Sequence, residues 1–246
     1  MKIIAVGNQK GGVGKTTTTL NLGHALAERG KRVLLVDLDP QGSLTISAGV
    51  DDRPGRSMAE VLAGEMPLDD ILVEINGNLS LAPSDIALSE TELILVGRIG
   101  REVAVKKVLA GLGNRFDYAL LDLPPSLGIL TVNGLAAAQS VLIPAIPQYL
   151  DLRALAIFTK TIDLIREEIN PGLEIVGILP TLYDSRLKLH AEVIESWEEA
   201  GLPVLPLRVK RSVRAAEAPI IGESIADYSP EHGVVYKQLA EIIDNG

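Results

Sequence analysis

The chain has 246 residues, 47% of them hydrophobic and only 3% aromatic, which suits one α/β domain with an aliphatic core. Acidic residues outnumber basic ones by 32 to 23, so the net charge is −9 and any contact with nucleic acid must come from a local basic patch. The absence of cysteine excludes disulfides, iron–sulfur clusters and thiolate metal sites.

Apolar segments alternate with helical ones along the whole chain. In chain order, the pattern predicts a strand at 3–7, a helix at 16–29, strands at 32–39 and 78–83, a helix at 100–112, strands at 117–125 and 140–147, a helix at 151–169, a strand at 173–181, a helix at 187–201, a short strand at 202–207 and a helix at 233–243. This alternation predicts a doubly wound, mostly parallel sheet with helices on both faces, formed by a single domain over 1–246. Residues 40–60 and 208–232 are the least regular and are candidate functional loops.

A glycine-rich segment, NQKGGVGKTTTTLNL at 8–22, joins the first predicted strand to the first predicted helix. Gly11, Gly12 and Gly14 allow successive backbone N–H groups to turn toward phosphate oxygens, and the helix N-terminus adds partial positive charge. Lys15 can reach the β- and γ-phosphates, and the hydroxyl of Thr16 is placed for Mg²⁺. A plain glycine turn with a capping threonine is disfavoured because strand, loop, Gly-Lys-Thr and helix occur together.

The segment departs from the usual phosphate loop at two positions. Gln9 stands where the common pattern has its first glycine, and a second lysine, Lys10, stands at the front of the loop.

Carboxylates follow two of the predicted strands. Asp122, in YALLDLPP, lies where a parallel sheet presents its ligand-binding edge and can hold Mg²⁺ directly or through a water. In VDLDPQG, we expect one of Asp37 and Asp39 to face the nucleotide and the other to support the loop. A pair of solvated turn aspartates is the alternative, more plausible for Asp37 than for Asp39.

Three segments together resemble one family. KGGVGKTT at 10–17, VLLVDLDPQG at 33–42 and ALLDLPPS at 119–126 are similar to the deviant Walker A, A′ and B motifs of the ParA/MinD ATPases, P-loop NTPases. The similarity is greatest to short, Soj-like ParA proteins, and it includes RAAEAPIIGESI at 214–225.

The resemblance implies a role for each motif residue. Lys10 would be the signature lysine, which crosses the interface of an ATP-bound sandwich dimer and contacts the partner's phosphates; Lys15 would bind phosphate in its own subunit. Asp39 would activate water, and Thr16 and Asp122 would serve Mg²⁺. ATP would be bound by Lys10, Gly11, Gly12, Val13, Gly14, Lys15, Thr16 and Thr17, with Pro180, Thr181 and 206–212 near the adenine.

The cysteine content and the two terminal segments distinguish this chain from several other members of the family that it resembles. Nitrogenase iron protein and iron–sulfur scaffold ATPases need cysteines, which this chain lacks. MinD-like proteins end in a basic amphipathic helix, whereas EHGVVYKQLAEIIDNG carries one lysine and three acids, so we expect a helix packed on the domain. The first strand begins at residue 3, which predicts no N-terminal DNA-binding extension. No apolar run approaches a membrane span of about 20 residues, so we expect a cytoplasmic protein that binds no membrane.

Basic residues in two segments form a candidate DNA-binding surface. Such a patch would bind the phosphate backbone without sequence preference and with strong salt dependence; a solvated basic loop is the alternative. Soj-type proteins usually have IPRN where this chain has VKRS at 209–212, so Lys210 replaces a proline near the adenine and either alters base packing or adds charge toward DNA. The surface comprises Arg186, Lys188, Arg208, Lys210, Arg211 and Arg214.

The resemblance therefore predicts an ATPase with ATP and Mg²⁺ as cofactors, weak intrinsic activity and an ATP-dependent homodimer. The dimer would associate with the nucleoid by binding DNA nonspecifically, and a ParB-like partner would stimulate hydrolysis. The cargo stays open between chromosome, plasmid and a protein assembly. A MinD-like membrane regulator is the main alternative, and a metabolic P-loop enzyme such as an amide-forming synthetase is a third.

Overall fold

A computed structural model describes residues 1–51, 54–149, 151–212 and 229–245. Its centre is a seven-stranded sheet in the order β3-β4-β2-β5-β1-β6-β7, in which every pairing is parallel except that of β3 with β4. The strands are β1 (Lys2–Val6), β2 (Val33–Asp37), β3 (Val73–Asn76), β4 (Leu79–Ala82), β5 (Tyr118–Asp122), β6 (Ser140–Ala145) and β7 (Glu174–Pro180).

Helices follow most of the strands and cover both faces of the sheet. Short 3₁₀ turns at Leu68–Asp70 and Arg101–Val103 accompany them. The α-helices are α1 (Lys15–Glu28), α2 (Ser43–Ser47), α3 (Met58–Ala63), α4 (Leu88–Val96), α5 (Ala104–Ala110), α6 (Ile129–Ala137), α7 (Asp151–Glu168), α8 (Lys188–Glu199) and α9 (Pro230–Asn245).

Two hydrophobic clusters, one on each face, hold these layers together. The central strands β2 and β5 are buried at every position, as expected for parallel strands covered on both sides. In α8, His190, Ile194 and Trp197 share the buried face that their spacing predicts. Helix α9 packs on α1 and buries Tyr236 and Leu239, which agrees with the predicted packed C-terminal helix.

Most predicted elements are present, but several details are corrected. The predicted strand at 202–207 is absent: Val204 forms only an isolated parallel bridge with Ile178, because the prolines on both sides of Val204 interrupt a ladder. The sequence interpretation assigned no element to β3 or to α2, α3, α4 and α6. The segment 40–60, interpreted as irregular, contains α2 and the start of α3.

Within the described parts of the chain, no helix combines the length and hydropathy needed to cross a bilayer.

The loops that carry the candidate chemical residues follow the carboxyl ends of the three central strands, β1, β2 and β5. Strand β5 pairs with β2 on one side and with β1 on the other, so the loops after β1, β2 and β5 emerge side by side. Asp122 is the register partner of both Val6 and Asp37. Residues far apart in sequence therefore meet at one edge of the sheet, where open parallel sheets bind their ligands.

Candidate nucleotide-binding site

The loop between β1 and α1 wraps around the N-terminus of the helix. Gly12 and Gly14 have φ angles of 71° and 87°, in the left-handed region that favours glycine. Space around the loop is open, because a Cβ at Gly11 or Gly12 would meet no atom within 4 Å. The backbone is thus shaped to approach a phosphate group closely, and helix α1 begins where an anion would lie.

The two lysines of the loop occupy different environments. Lys15 is buried and its Nζ donates to the carbonyl oxygen of Lys10 at 3.2 Å, which places the ammonium inside the curve of the loop. Burial lowers the pKa of Lys15, while the charges of Asp122 and Asp39 oppose that shift. Lys10 lies nearer the surface, with its Nζ 3.3 Å from Oε1 of the exposed Gln148.

Thr16 and Asp122, both predicted to serve Mg²⁺, are in direct contact. The Thr16 hydroxyl donates to Asp122 Oδ2 at 2.7 Å, and the hydroxyl of Thr19 donates to Oδ1 of the same carboxylate at 3.2 Å. Asp122 is 1% exposed, and burial together with the neighbouring charge of Asp37 raises its pKa. A hydroxyl and a carboxylate oxygen, both hard ligands, thus lie beside the phosphate loop, as a magnesium site requires.

Asp37 supports the loop after β2. Its Oδ2 accepts hydrogen bonds from the backbone N–H of Thr45 at 2.9 Å and from the Thr45 hydroxyl at 2.8 Å. Its Oδ1 accepts from the backbone N–H of Asp39 at 3.1 Å. Asp37 is completely buried, and burial raises its pKa. The alternative of a solvated turn aspartate is therefore wrong for Asp37, because three hydrogen bonds replace the water that the carboxylate loses.

Asp39 contributes to the wall of a cavity of about 390 Å³ in front of the loop, with Gly11, Gly12, Gly14, Lys15, Thr16 and Thr17. The same cavity is bordered by Pro125 and by Ser43 and Ser47 of α2 and Leu182; the sequence interpretation did not select the last three. The two serines are separated by one helical turn directly after DPQG, a spacing that could have marked them as facing one side.

A second, smaller cavity of about 140 Å³ adjoins the loop on the side of α9. Thr181 lies in its wall, and the Thr181 hydroxyl also donates to the carbonyl oxygen of Val13 at 2.7 Å, tying the end of β7 to the phosphate loop. Pro180 is buried, and its carbonyl oxygen accepts from the backbone N–H of Val209 at 2.9 Å. The wall is completed by Gly14, Thr17, Leu182, Val209, Lys210, Ser212 and Tyr236.

Leu182 belongs to both cavities and has an unusual backbone. Its φ of 50° makes it the one non-glycine residue with a positive φ among those that the structure describes. A leucine in this conformation costs of the order of 1 kcal/mol or more, so the surrounding contacts must hold it there. Tyr236 comes from the distant helix α9, and no local motif in the sequence identified either residue.

The structure brings the two predicted basic segments together. The backbone N–H of Tyr183 donates to the carbonyl oxygen of Val209 at 2.9 Å, and the backbone N–H of Arg211 donates to the carbonyl oxygen of Tyr183 at 3.2 Å. The exposed members of the surface are Arg186, Lys188, Lys210 and Arg211. Arg186 is paired with Asp184 at 2.7 Å.

Arg208 and Arg214 stand apart from these four residues. The Arg208 guanidinium donates to the carbonyl oxygens of Leu205 and Leu207, at 2.6 and 2.8 Å, and lies 3.7 Å from Glu198. It is thus half-buried and engaged within the fold. Arg214 and the predicted segment 214–225 lie outside the described residues.

The residues of the larger cavity fit a nucleoside triphosphate with Mg²⁺. The open glycines leave room for phosphate oxygens, Lys15 offers an ammonium, and the Thr16–Asp122 pair offers hard oxygen ligands. The smaller cavity continues from the loop and offers the mostly apolar surface that a purine base requires.

Comparisons with known proteins agree with this geometry. A family model described as an AAA domain matches residues 1–175. The sporulation initiation inhibitor protein Soj of Bacillus subtilis is 41% identical over 251 residues, covering 100% of this chain and 99% of Soj. The chain belongs to the ParA/MinD family of ATPases. This confirms the predicted family, and the parallel sheet confirms the predicted P-loop NTPase fold.

Two solved structures illustrate how far the similarity extends within and around the ParA/MinD family. The cell division ATPase MinD of Pyrococcus furiosus has a TM-score of 0.80 and 27% identity, covering 99% of this chain and 98% of MinD. Cobyrinic acid a,c-diamide synthase of Mycobacterium smegmatis, solved with an ATP analogue and magnesium, has a TM-score of 0.87 and 40% identity, covering 98% of this chain and 93% of the synthase. The ligands of the latter structure support the prediction of ATP and Mg²⁺ as cofactors.

Proposed function

We propose that this protein is a ParA-type partition ATPase. It binds ATP and Mg²⁺, forms an ATP-dependent homodimer, and in that state binds DNA nonspecifically within the cytoplasm. A ParB-like partner or cargo adaptor stimulates its slow hydrolysis and resets the cycle. The cycle needs two states with different partner affinities, and the γ-phosphate selects between them.

The observation that carries this proposal is the division of labour between the two lysines of the loop. Lys15 is buried within the loop, whereas Lys10 lies nearer the surface beside Gln148. In the proposed cycle, Lys15 would bind the nucleotide of its own subunit, and Lys10 would reach a nucleotide across the interface. A lysine donated by each partner would offset the dense negative charge of two facing triphosphates and make association depend on ATP.

The chain's own residues can support hydrolysis. ATP bound with Mg²⁺ supplies the γ-phosphoryl group that passes to water. Thr16 and Asp122 would hold the metal ion, and Lys15 with the loop N–H groups would bind the phosphates. Asp39 borders the same cavity, and its Oδ1 accepts from the backbone N–H of Gln41 at 3.0 Å, so its carboxylate is held in place to orient and deprotonate water.

The basic surface would provide the DNA contact. Lys188, Lys210 and Arg211 are exposed, and hydrogen bonds between the two segments hold them near one another. Such a cluster binds phosphates without reading bases, and its contribution falls as salt rises. Lys210 also borders the smaller cavity, so bound nucleotide and bound DNA would lie on either side of one short segment.

The decisive experiment uses the Asp39→Ala protein, which should bind ATP without hydrolysing it and accumulate the ATP dimer. We expect it to bind double-stranded DNA with ATP and Mg²⁺ but not with ADP, and to lose binding between low and moderate salt. Analytical ultracentrifugation with and without DNA measures both steps. An ATP dimer that ignores DNA at every salt concentration would refute nucleoid association and make lipid or a protein scaffold the next surface to test.

A second candidate is suggested by the similarity to the cobyrinic acid a,c-diamide synthase. An amide-forming synthetase uses ATP to activate a carboxylic acid, so its ATP consumption requires that acid. Multiple-turnover phosphate release in the absence of any organic acid or amine, and its acceleration by DNA together with an activator, favour the partition ATPase. Strict dependence on a small carboxylic acid would favour the synthetase.

A MinD-like role is tested by pelleting with anionic liposomes in ATP and in ADP.

A further inference from the structure

Four consecutive threonines, Thr16 to Thr19, follow Lys15 in the first turns of helix α1. Threonine is a weaker helix former than alanine or leucine because its branched Cβ restricts χ1, so a run of four suggests that their hydroxyls make specific contacts. Thr16 and Thr17 line the larger cavity. Thr19 is completely buried and lies outside the walls of both cavities beside the loop.

The Thr19 hydroxyl lies within hydrogen-bond distance of two oxygens. It is 3.2 Å from Oδ1 of Asp122 and 3.0 Å from the carbonyl oxygen of Lys15, four residues earlier in the helix. Contact with the carbonyl four residues earlier is common for threonine in any helix. The contact with Asp122 is not local, because it joins α1 to the end of β5 across 103 positions of the sequence.

Thr16 and Thr19 together hold both oxygens of the Asp122 carboxylate. Residues three apart lie on the same face of a helix, so both hydroxyls reach the same strand end. The Thr16 hydroxyl donates to Oδ2 at 2.7 Å, and the Thr19 hydroxyl donates to Oδ1. Asp122 is 1% exposed, so water has little access to replace either donor. Two donors on opposite oxygens fix the rotation of the carboxylate about its Cβ–Cγ bond.

The two donors differ in what else they can bind. Thr16 borders the larger cavity, and its oxygen is a proposed ligand of Mg²⁺. Thr19 does not border that cavity, so its hydroxyl contacts protein alone and can hold Asp122 with or without a metal ion. Hydrogen bonds of this outer kind orient the residues of a metal site, and their loss typically weakens metal affinity by about 10–100-fold.

We propose that Thr19 is a positioning residue for the magnesium site. Its hydroxyl holds Oδ1 of Asp122 so that Oδ2 faces Thr16 and the cavity, although Thr19 itself touches neither metal nor nucleotide. The inference rests on the proposed magnesium roles of Thr16 and Asp122. It extends the site by one helical turn beyond the Gly-Lys-Thr motif, and it requires neither dimerisation nor DNA binding.

Three substitutions separate this role from ordinary helix packing. Thr19→Val keeps the branched shape and removes the hydroxyl, whereas Thr19→Ser keeps the hydroxyl. Thr159→Val, in α7, is the matched control. The Thr159 hydroxyl also donates to the carbonyl oxygen four residues earlier, that of Leu155, at 3.0 Å, and its other acceptor is the carbonyl oxygen of Ala156.

Metal affinity is measured directly with Mn²⁺, which takes the same oxygen ligands as Mg²⁺. The electron paramagnetic resonance signal of free Mn²⁺ is followed in the presence of a saturating non-hydrolysable ATP analogue. We expect Thr19→Val to bind Mn²⁺ about tenfold or more weakly than the unaltered chain, and Thr19→Ser and Thr159→Val to stay within about threefold of it. Affinity for the nucleotide in EDTA should be the same in all four proteins, because Thr19 lies outside both cavities.

Unchanged Mn²⁺ affinity in Thr19→Val, or an equal loss in Thr159→Val, would overturn the proposal. Weaker nucleotide binding by Thr19→Val in EDTA would also overturn it, by assigning Thr19 to the shape of the phosphate loop. Thr19→Ala, which also lacks the hydroxyl and favours a helix, provides the same comparison if Thr19→Val does not fold. Failure of the partition cycle would be seen separately, as an absent ATP dimer in sedimentation, without changing the Mn²⁺ result.

Discussion

Thr45 donates both its backbone N–H and its hydroxyl to one oxygen of Asp37, at 2.9 and 2.8 Å. The other oxygen of Asp37 accepts from the backbone N–H of Asp39 at 3.1 Å. The Thr45 hydroxyl oxygen in turn accepts from the backbone N–H of Ser84 at 2.9 Å. Thr45 thus connects the end of β4 to the loop that carries the proposed water-activating carboxylate.

Replacement of Thr45 by valine should therefore slow hydrolysis more than it weakens ATP binding. The loss of one bond to a buried carboxylate costs about 1–3 kcal/mol and releases the loop that positions Asp39. We expect kcat to fall by about tenfold with KM for ATP changed by less than about threefold. Steady-state phosphate release measures both constants.

Thr45→Ser provides the control, because serine keeps the hydroxyl and loses only the methyl group. It should restore most of the rate lost in Thr45→Val. If both variants hydrolyse ATP at the unaltered rate, Thr45 and Asp37 serve stability alone and do not position Asp39.

Alanine substitutions of Lys10 and of Lys15 should affect dimerisation and nucleotide binding differently. We expect Lys10→Ala to bind ATP with nearly unchanged affinity but to remain monomeric, because the charge proposed to cross the interface is lost. Lys15→Ala should lose ATP binding itself, since Lys15 is the buried lysine inside the loop. Fluorescent-nucleotide titration and sedimentation velocity measure the two properties. A Lys10→Ala protein that dimerises normally with ATP would contradict the proposed role.

Charge reversal should distinguish the basic residues that bind DNA from Arg208, whose charge serves the fold. We expect Arg211→Glu with Arg214→Glu, and separately Lys188→Glu, to weaken DNA binding about tenfold or more and to lower its salt dependence without affecting the ATP dimer. Lys160→Glu, at an exposed position of α7, serves as the control. Equal loss of dimerisation and DNA binding would argue against a separate DNA surface.

Arg208 should behave differently, because its guanidinium donates to two carbonyl oxygens of its own segment. Arg208→Gln leaves those oxygens without their charged donor. We expect it to lower the free energy of unfolding by about 1 kcal/mol or more, with little direct effect on DNA affinity at a temperature where the protein is folded. Urea unfolding and a DNA titration on the same sample distinguish the two effects.

The sequence predicted most of the sheet because its central strands are continuous apolar runs, the pattern that burial on both faces imposes. It assigned Thr16 and Asp122 to one predicted magnesium site because each residue occupies a recognisable motif, and the structure brings the two into contact. Helix α2 was missed because its five residues follow DPQG without an apolar period. Strand β3 was missed because it is a half-exposed edge strand of four residues.

The long-range parts of the site could not be derived from local patterns. Tyr236 reaches the smaller cavity from α9, more than fifty residues after Thr181, and no spacing rule relates the two. Leu182 is an ordinary leucine in sequence, and only the assembled fold imposes its positive φ. Arg208 is the opposite case. The run of basic residues predicted that it belongs to an exposed charged surface, whereas its guanidinium donates hydrogen bonds to carbonyl oxygens of its own segment.

The buried pair Asp37 and Asp122 should make the ligand-free protein less stable as pH rises. Burial raises the pKa of both groups, so over the affected range the folded state binds more protons than the unfolded state does. Stability then falls with increasing pH as each folded-state carboxyl loses its proton. We expect the free energy of unfolding to decrease steadily between roughly pH 5 and 8, the range over which the unfolded-state carboxyls are already ionised and the folded-state carboxyls lose their protons.

Urea unfolding of the nucleotide-free and Mg²⁺-free protein across this range measures the slope. The net charge of −9 adds general repulsion of the same sign, so a variant must isolate the pair. Asp37→Asn removes one carboxylate and should flatten the profile between pH 5 and 8, whereas Asp51→Asn, at an exposed position, removes the same charge and should leave the slope unchanged. Identical slopes in the two variants would show that general repulsion, not the buried pair, controls the pH dependence.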